Sequence, residues 1–559
     1  MNFPLRPPEQ VMRLDRMGSF FATRLSFMPS LLRHMAGQDW RIERIRWDID
    51  DDGFGRAVIC AKSPEWIYSL VAFSNYLDPK LRSDRVIAEA WDATFVLFDG
   101  EPSDDDLDRL AQNAPLQEAG RYLPSELVLS RANKSVRFFS HVVDRLASGK
   151  QPDLDLLGSV GYLMRTTAVY GNGKFGVADR AKIAKRPGMS GPFRVELLTV
   201  YLIRAFTHDL VEHIARCRAP ETFVPLHPDY KRHLGIGNAT GLGMAPFLVS
   251  HPILIHNWMH ARETALARVR GRTKADPERL EHFRYLLVRA RQHVAEWNVP
   301  DVRQTKRITK LKTDLDTLRS WLEDDPHWGT QSSPWNWLYK KAEAELSLEA
   351  QEMVISFLVE VHGDLVDELT ETMSTEDYER HDPTMTVCGL KELVQQHYAW
   401  ALEVDLTQPE SQQRFWYVSE EKLEPRFGDR YLEDGADKEM PHAIAREIQH
   451  LWQVLDGSDS EENTAALLLR YPELRRTVRR MQTVSKHPYA EIKDNLVAAN
   501  CLPIDLLRCK LSFFGAAKFD PKSDLWTRIT LYQGAPLPEE LCRKQNLDWS
   551  FPVLPQEVA

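Results

Sequence analysis

Pro192-Phe-Arg-Val-Glu-Leu-Leu-Thr-Val-Tyr-Leu-Ile-Arg-Ala-Phe-Thr-His-Asp-Leu-Val-Glu-His-Ile-Ala-Arg-Cys-Arg218 reads as one long helix, opened by proline after Ser190-Gly191 and closed by Pro220. At about 100° per residue, Arg194, Tyr201, His208 and Glu212 fall within an arc of about 40°, with Arg204 flanking them. Ile203, Phe206, Leu210 and Ile214 take the opposite side, and Leu197, Leu198 and Leu202 border the polar stripe, so the helix is expected to be covered on more than one side. A buried polar stripe has to be satisfied by partners. One way is a carboxylate or phosphate held by the arginines, with His208 as acid or base oriented by Glu212 or Tyr201. The other is a solvated face of i,i+4 pairs.

The surrounding window, Gly161 to Arg272, holds seven of the eighteen histidines, eleven of the twenty-seven glycines, and sixteen Lys and Arg against seven Asp and Glu. That is a local +9 in a chain of formal net charge -10, and it suits an anion-binding site. Before the helix, Tyr170-Gly-Asn-Gly-Lys-Phe-Gly176 would let main-chain N–H groups approach a ligand, with Lys174 adding charge and Arg165 just upstream. After it, Leu234-Gly-Ile-Gly-Asn-Ala-Thr-Gly-Leu-Gly-Met-Ala-Pro-Phe247 reads as a buried Gly-rich loop delivering a helix, with Asn238, Thr240, Gly241 and Gly243 lining a site. Neither stretch is a nucleotide-binding fingerprint. His256 and His260 have the i,i+4 spacing of two metal ligands, but the intervening Asn257-Trp-Met lacks the glutamate of a zinc-peptidase motif. No metal is assigned; if one is present, these two histidines are its candidates.

Outward from this window the texture divides. Trp40 to Ile49 alternates, Asp50-Asp-Asp-Gly53 is a turn, and Ala57 to Ala61, Glu65 to Phe73 and Arg85 to Phe98 continue an antiparallel meander. Residues 9–36 read as a helix broken near Pro29, and Ser103-Asp-Asp-Asp caps another. From Ser125 onward nearly everything carries helical periodicity, including Leu154 to Tyr170, until a hairpin suggested near Leu511 to Gln533. The expected fold is therefore mainly α, a multi-helix core with an N-terminal α+β region containing a short antiparallel sheet. Its expected divisions are an α+β region over 1–124, the helical core with the basic site over 125–325, and a mainly helical region over 326–559, with a break at the polar stretch after Asp324.

Six scattered cysteines without a CxxC argue for reduced thiols, and the absence of a signal segment or a long apolar run argues for a cytoplasmic chain without a membrane span. The acidic surplus argues against general nucleic-acid binding. Met244-Ala-Pro-Phe-Leu-Val-Ser-His-Pro-Ile-Leu-Ile-His-Asn257 faintly resembles the signature loop of the fumarase and aspartase lyases. The paired serines of that family are replaced by Leu242-Gly243 and its lysine and asparagine are missing, so no catalytic residue is carried over.

The expectation is an enzyme acting on a small carboxylated or phosphorylated metabolite by acid–base chemistry, of lyase, isomerase or transferase type. His208, Glu212 and Tyr201 would be catalytic; Arg165, Lys174, Arg194, Arg204, Asn238, Thr240, Gly241 and Gly243 would bind the substrate. Its rivals are a helical adaptor docking an acidic partner segment through the basic window, and a His/carboxylate metal enzyme. The sequence names no cofactor, and a homo-oligomer is compatible with it.

Overall fold

The computed structural model describes residues 3–78, 80, 90–114, 123–166, 180–186, 188–241, 251–297, 299, 301–371, 373, 379–408, 416–419, 425–427, 439–442, 444–492, 503–521, 526–541 and 548–557. Its strands are β1 Arg41–Ile49, β2 Gly55–Lys62, β3 Ile67–Ser74, β4 Ala93–Asp99, β5 Glu126–Lys134, β6 Tyr162–Thr166, β7 Gly235–Gly241, β8 Trp416–Ser419, β9 Pro425–Phe427, β10 Glu439–His442, β11 Lys518–Pro521 and β12 Trp526–Leu531. The helices that matter for the site are α1 Phe27–Gly37, α2 Arg194–Arg218, α3 Pro228–His233, α4 Pro252–Arg270, α5 Pro277–Ala295, α6 Leu348–Glu360 and α7 Pro503–Phe514.

Nine strands form one mixed sheet in the order β1-β2-β3-β4-β5-β6-β7-β12-β11, and β8–β10 form a separate small sheet. This overturns the expectation of a mainly helical core with only a short antiparallel sheet. The chain is α+β, and its large sheet draws strands from residue 41 to residue 531. Among the described pairings of this sheet, β6 with β7 is the parallel one, and α2 lies in the crossover between them. A parallel pair needs such a long connection, which makes the buried helix part of the sheet's topology.

The meander was legible as strand-length apolar runs bounded by turns, because successive side chains of β2–β4 point to two covered faces. Ala57, Ile59, Leu70, Ala72, Phe95 and Leu97 belong to the main core, whereas Val58, Cys60, Val71, Phe73, Val96 and Phe98 form a second core with Leu107 and Leu110. Those leucines lie on the helix Asp104–Asn113, which the Ser103–Asp106 capping box opens as expected. On the other face, α2 packs against β2, β3, β5, β6 and β7, and also against α1 and the helix Phe139–Ala147.

Three strands contradict the helical reading after Ser125. β5 is a short apolar run, which periodicity cannot assign. The helix expected from Leu154 to Tyr170 ends at Val160, where Gly161 turns left-handed (φ 74°) and β6 begins. The expected Gly-rich loop at Leu234 is β7 up to Gly241. Its glycines permit close packing: a Cβ on Gly237 would stand 2.6 Å from the Tyr162 ring of β6. Earlier in the chain, residues 9–36 form two short turns of helix and then α1, whose first turn contains Pro29.

A charge network inside the apolar core fastens the first segment to two helices. Arg6 binds both oxygens of Glu263 (2.7 and 2.7 Å, α4) and one oxygen of Glu352 (3.1 Å, α6), which also receives Arg16 (2.7 Å) and Arg262 (2.6 Å). Burial opposes ionisation of Glu352, but the charges of Arg6, Arg262 and Arg16 outweigh it and hold the carboxyl at about 2. Charges this deep require such partners.

Two outcomes follow from this packing. Gly237→Val should lower stability by about 1–3 kcal/mol through collision with Tyr162, read as a lower urea midpoint. Because the Glu352 pKa is depressed, its contribution is present above the ordinary carboxyl range and is lost as pH falls toward about 2. Glu352→Gln should cost about 3–5 kcal/mol at neutral pH and flatten the acid limb of a stability–pH curve.

Candidate functional site

The polar stripe of α2 is largely buried rather than a solvated face, and it is satisfied by the chain itself. Arg204, 1% exposed, spends all three guanidinium nitrogens on five main-chain carbonyls: Leu234 (2.7 Å), Lys231 (3.1 Å), Arg232 (3.1 Å), Ala535 (3.0 Å) and Pro536 (3.1 Å). Burial lowers its pKa to about 10, which leaves it cationic at neutral pH. Tyr201 donates to the same Pro536 carbonyl (2.8 Å), and burial pushes its hydroxyl pKa upward. Glu212 takes Lys231 (2.7 Å) and the Leu226 N–H (3.0 Å). His208 is buried beside Arg204 and Lys231; burial first, then those charges, drive its pKa well below 6.5. It is a neutral ring at neutral pH, so the role of a poised proton carrier does not fit it.

The remaining candidates lie elsewhere. The stripe reaches the amino end of β7 through Leu234, whereas Arg165 sits near the carboxyl end of β6, opposite Asn133 of β5 and Gly237 of β7. Asn238, Thr240 and Gly241 follow in β7, opposite Ile529, Thr527 and Trp526. Arg194, about 21 Å from His208 along the helix, is held by Glu371 (2.9 Å) and the Gly188 carbonyl. Lys174 and Gly243 lie outside the described residues. The predicted constellation is therefore divided: a structural clamp at one end of the β6–β7 pair, and Arg165 with Asn238 toward the other.

The basic window has a similar explanation. Arg186 pairs with Asp99, Arg194 with Glu371, Arg232 with Glu540, Arg262 with Glu352, Arg268 with Glu368 and Arg272 with Asp364. Every one of these acids lies outside the window in sequence. Much of the local surplus meets acids from distant parts of the chain.

His256 and His260 come together with their rings 5.6 Å apart, and His487 stands 4.9 Å from His256. The Tyr489 N–H donates to His256 Nδ1 (3.1 Å), and Glu379 holds His487 (2.9 Å). Burial, followed by repulsion from His487 and His260, takes His256 down to about 4. Among the described residues no group of three or more His, Cys, Asp or Glu could hold a metal ion.

The arrangement best suited to a ligand was not visible in sequence. A small cleft of about 60 Å³, partly open to solvent, lies between the segment before α1, α5, the end of α6, α7 and residues 549–551. Phe20, Phe21, Trp297, Trp549 and Phe551 wall it; Arg33, Glu360, Arg508 and His293 are its charged and titratable groups. Burial lowers Arg33 to about 10, with repulsion from Arg24 adding to the effect and Asp367 opposing it. Its guanidinium reaches Asp367 (3.4 Å) and the Arg24 carbonyl. Burial raises the Glu360 pKa, with the Asp548 charge adding to the effect, against Arg24 (3.3 Å) and Arg33. Arg508 is locked in a bidentate pair with Glu349 (2.5 and 2.6 Å). An aromatic enclosure with a few converging polar groups and shifted acids is the usual form of a small-molecule site. These residues come from segments hundreds of positions apart, so spacing carried no trace of them.

Arg204→Ala should cost about 3 kcal/mol or more by leaving several buried carbonyls without donors, and Arg204→Lys should recover little of it, as measured by chemical denaturation. Among the described residues no helix is long and apolar enough to cross a membrane. No family model, curated protein or solved structure matches the chain, so its function has to be read from the chemistry of its own side chains.

Proposed function

We propose that the chain is an enzyme that binds a small anionic molecule with an apolar body in the aromatic cleft and transfers a proton through Glu360. The observation that carries this reading is a buried glutamate with a raised pKa facing the same enclosure as the Arg33 guanidinium. A carboxyl moved toward neutrality serves as general acid or base near neutral pH. Arg33 would take the anionic group of the ligand, since its planar fork matches a carboxylate. Phe21 and Trp297, with ring centroids 6.5 Å apart, would cover the apolar body.

This keeps the acid–base class expected from sequence and moves it to other residues. A carboxylated ligand suits the cleft better than a phosphorylated one, because the walls are largely aromatic and Arg508 is already committed to Glu349. The adaptor reading loses support from the internal pairing of the basic window, which leaves fewer cations to face an acidic partner.

A thermal-shift series with benzoate, 3-phenylpropionate and inorganic phosphate tests the site. A ligand at 100 times its Kd adds about 2.7 kcal/mol, enough to raise Tm measurably. The expected result is a shift with an aryl carboxylate that is lost in Arg33→Ala and in Phe551→Trp and retained in Glu360→Gln. For a compound that is turned over, Glu360→Gln should lower kcat by at least about 100-fold. The absence of a shift with every carboxylate, or a shift indifferent to Arg33→Ala, would overturn the assignment.

A further inference from the structure

Residues 548–557 belong to no helix or strand, yet they cross α5 along one stripe of that helix. His282 Nε2 meets Asp548 Oδ2 (2.9 Å), Arg289 donates to the Phe551 carbonyl (3.3 Å), His293 Nδ1 meets the Pro552 carbonyl (2.7 Å), and the Leu554 N–H donates to Glu296 (3.1 Å). Positions 282, 289, 293 and 296 fall within an arc of about 60° on a helix. The segment's polar contacts are therefore four, made largely through side chains of a single helix, while Trp549 and Phe551 anchor it in the apolar core against Tyr532 and Phe357. Trp549 and Phe551 form part of the cleft wall, and Asp548, Trp549 and Pro552 also line a second cavity of about 210 Å³ beside Asp229, Arg232 and His233 of α3. It is thus a partition between two cavities with no main-chain ladder of its own.

Both nitrogens of His293 face carbonyl oxygens, Pro552 at 2.7 Å and Ala517 at 3.0 Å. Carbonyls accept and never donate, so a neutral imidazole can complete one of these two bonds and a protonated one completes both. At the other end, His282 with Asp548 forms a charge-assisted pair when the ring is protonated.

We propose that residues 548–554 are a strap that closes the ligand cleft, held shut by the pair of protonated His282 with Asp548 and released as the pH rises. The inference rests on the reading of the cleft as a ligand site and concerns its regulation. The groups facing His282 are Asp548 of the strap, Glu360 of α6 and Arg24 before α1; those facing Asp548 are His282, Arg289 and Glu360. Asp229 and Arg232 look onto the strap across the second cavity. The bond to Asp548 raises the His282 pKa, and the charges of Asp548 and Glu360 add to this against burial and Arg24. A raised folded-state pKa gives a stabilisation that is complete below the ordinary histidine value and is lost as pH climbs through the raised one. The strap is closed in mildly acidic solution and loosens on the alkaline side. Glu360 adjoins both the cleft and His282, so a change of charge on either group is felt by the other.

Hydrogen exchange of the full-length chain, corrected for the intrinsic pH dependence of exchange, tests this directly. Peptides covering 548–557 should lose protection at least tenfold between pH 6 and pH 8.5 in the wild type, including the Ser550 amide that bonds Asp548 (3.1 Å). His282→Gln and Asp548→Asn should show the low protection at both pH values, while peptides from β3 and β4 stay protected and report an intact fold. Protection that is equal at the two pH values, or unchanged in His282→Gln, would overturn the proposal. A strap that opens with pH in a protein that no carboxylate stabilises would sustain the switch and remove the ligand reading. Carboxylate binding beside a strap that ignores pH would do the reverse.

Discussion

The structure depends on one guanidinium. Arg204 gathers the carbonyls of the α3–β7 lead and of the turn after β12, and does so from the middle of a helix that is itself buried against the sheet. β7 and β12 are neighbours in that sheet but arrive from positions nearly three hundred residues apart. The turns at their ends expose carbonyl groups that water cannot reach, and a single long side chain supplies the donors. Tyr201 reinforces the clamp from one helical turn earlier, and Glu212 extends it to Lys231. The cost of desolvating the cation is offset by hydrogen bonds that no apolar residue could provide.

The same logic recurs wherever charge lies inside this molecule. Arg6, Arg16 and Arg262 around Glu263 and Glu352, and Arg508 on Glu349, each join segments distant in sequence, and Arg480 on Glu491 (2.5 Å) closes a nearer one. Such pairs add less net stability than an equally well-packed apolar contact, but they penalise any arrangement that leaves one partner alone. In the cleft, which Arg508 also lines, Arg33 and Glu360 keep partners in Asp367 and Arg24, but both are shifted in directions that weaken their charges, and they adjoin aromatic walls.

How much of this was legible in the sequence varied with the physics that forms each part. The meander β1–β4 announced itself because β1 alternates and two covered faces impose short apolar runs, bounded by turns, on Ala57 to Ala61 and on Ile67 to Phe73. β6 and β7 gave no such sign. β7 is built around glycines that let the Tyr162 ring approach, and those glycines read as a loop. The stripe on α2 was located correctly and its burial followed from the leucines beside it, but a sequence cannot distinguish a ligand from a carbonyl three hundred residues away as the partner of Arg204. The cleft was wholly hidden. Phe21, Arg33, His293, Glu360 and Phe551 share no period and no motif, and tertiary packing alone brings them together.

The proposed small-molecule site is the Arg33–Glu360 cleft. A crystal structure of the protein soaked with an aryl carboxylate such as benzoate would test it. The carboxylate is expected within hydrogen-bond distance of the Arg33 guanidinium, with the ring against Phe21, Trp297 and Phe551. Binding beside Arg165 and Asn238 at the carboxyl ends of β6 and β7, or in the cavity between α3 and residues 548–555, with the cleft left empty, would contradict it.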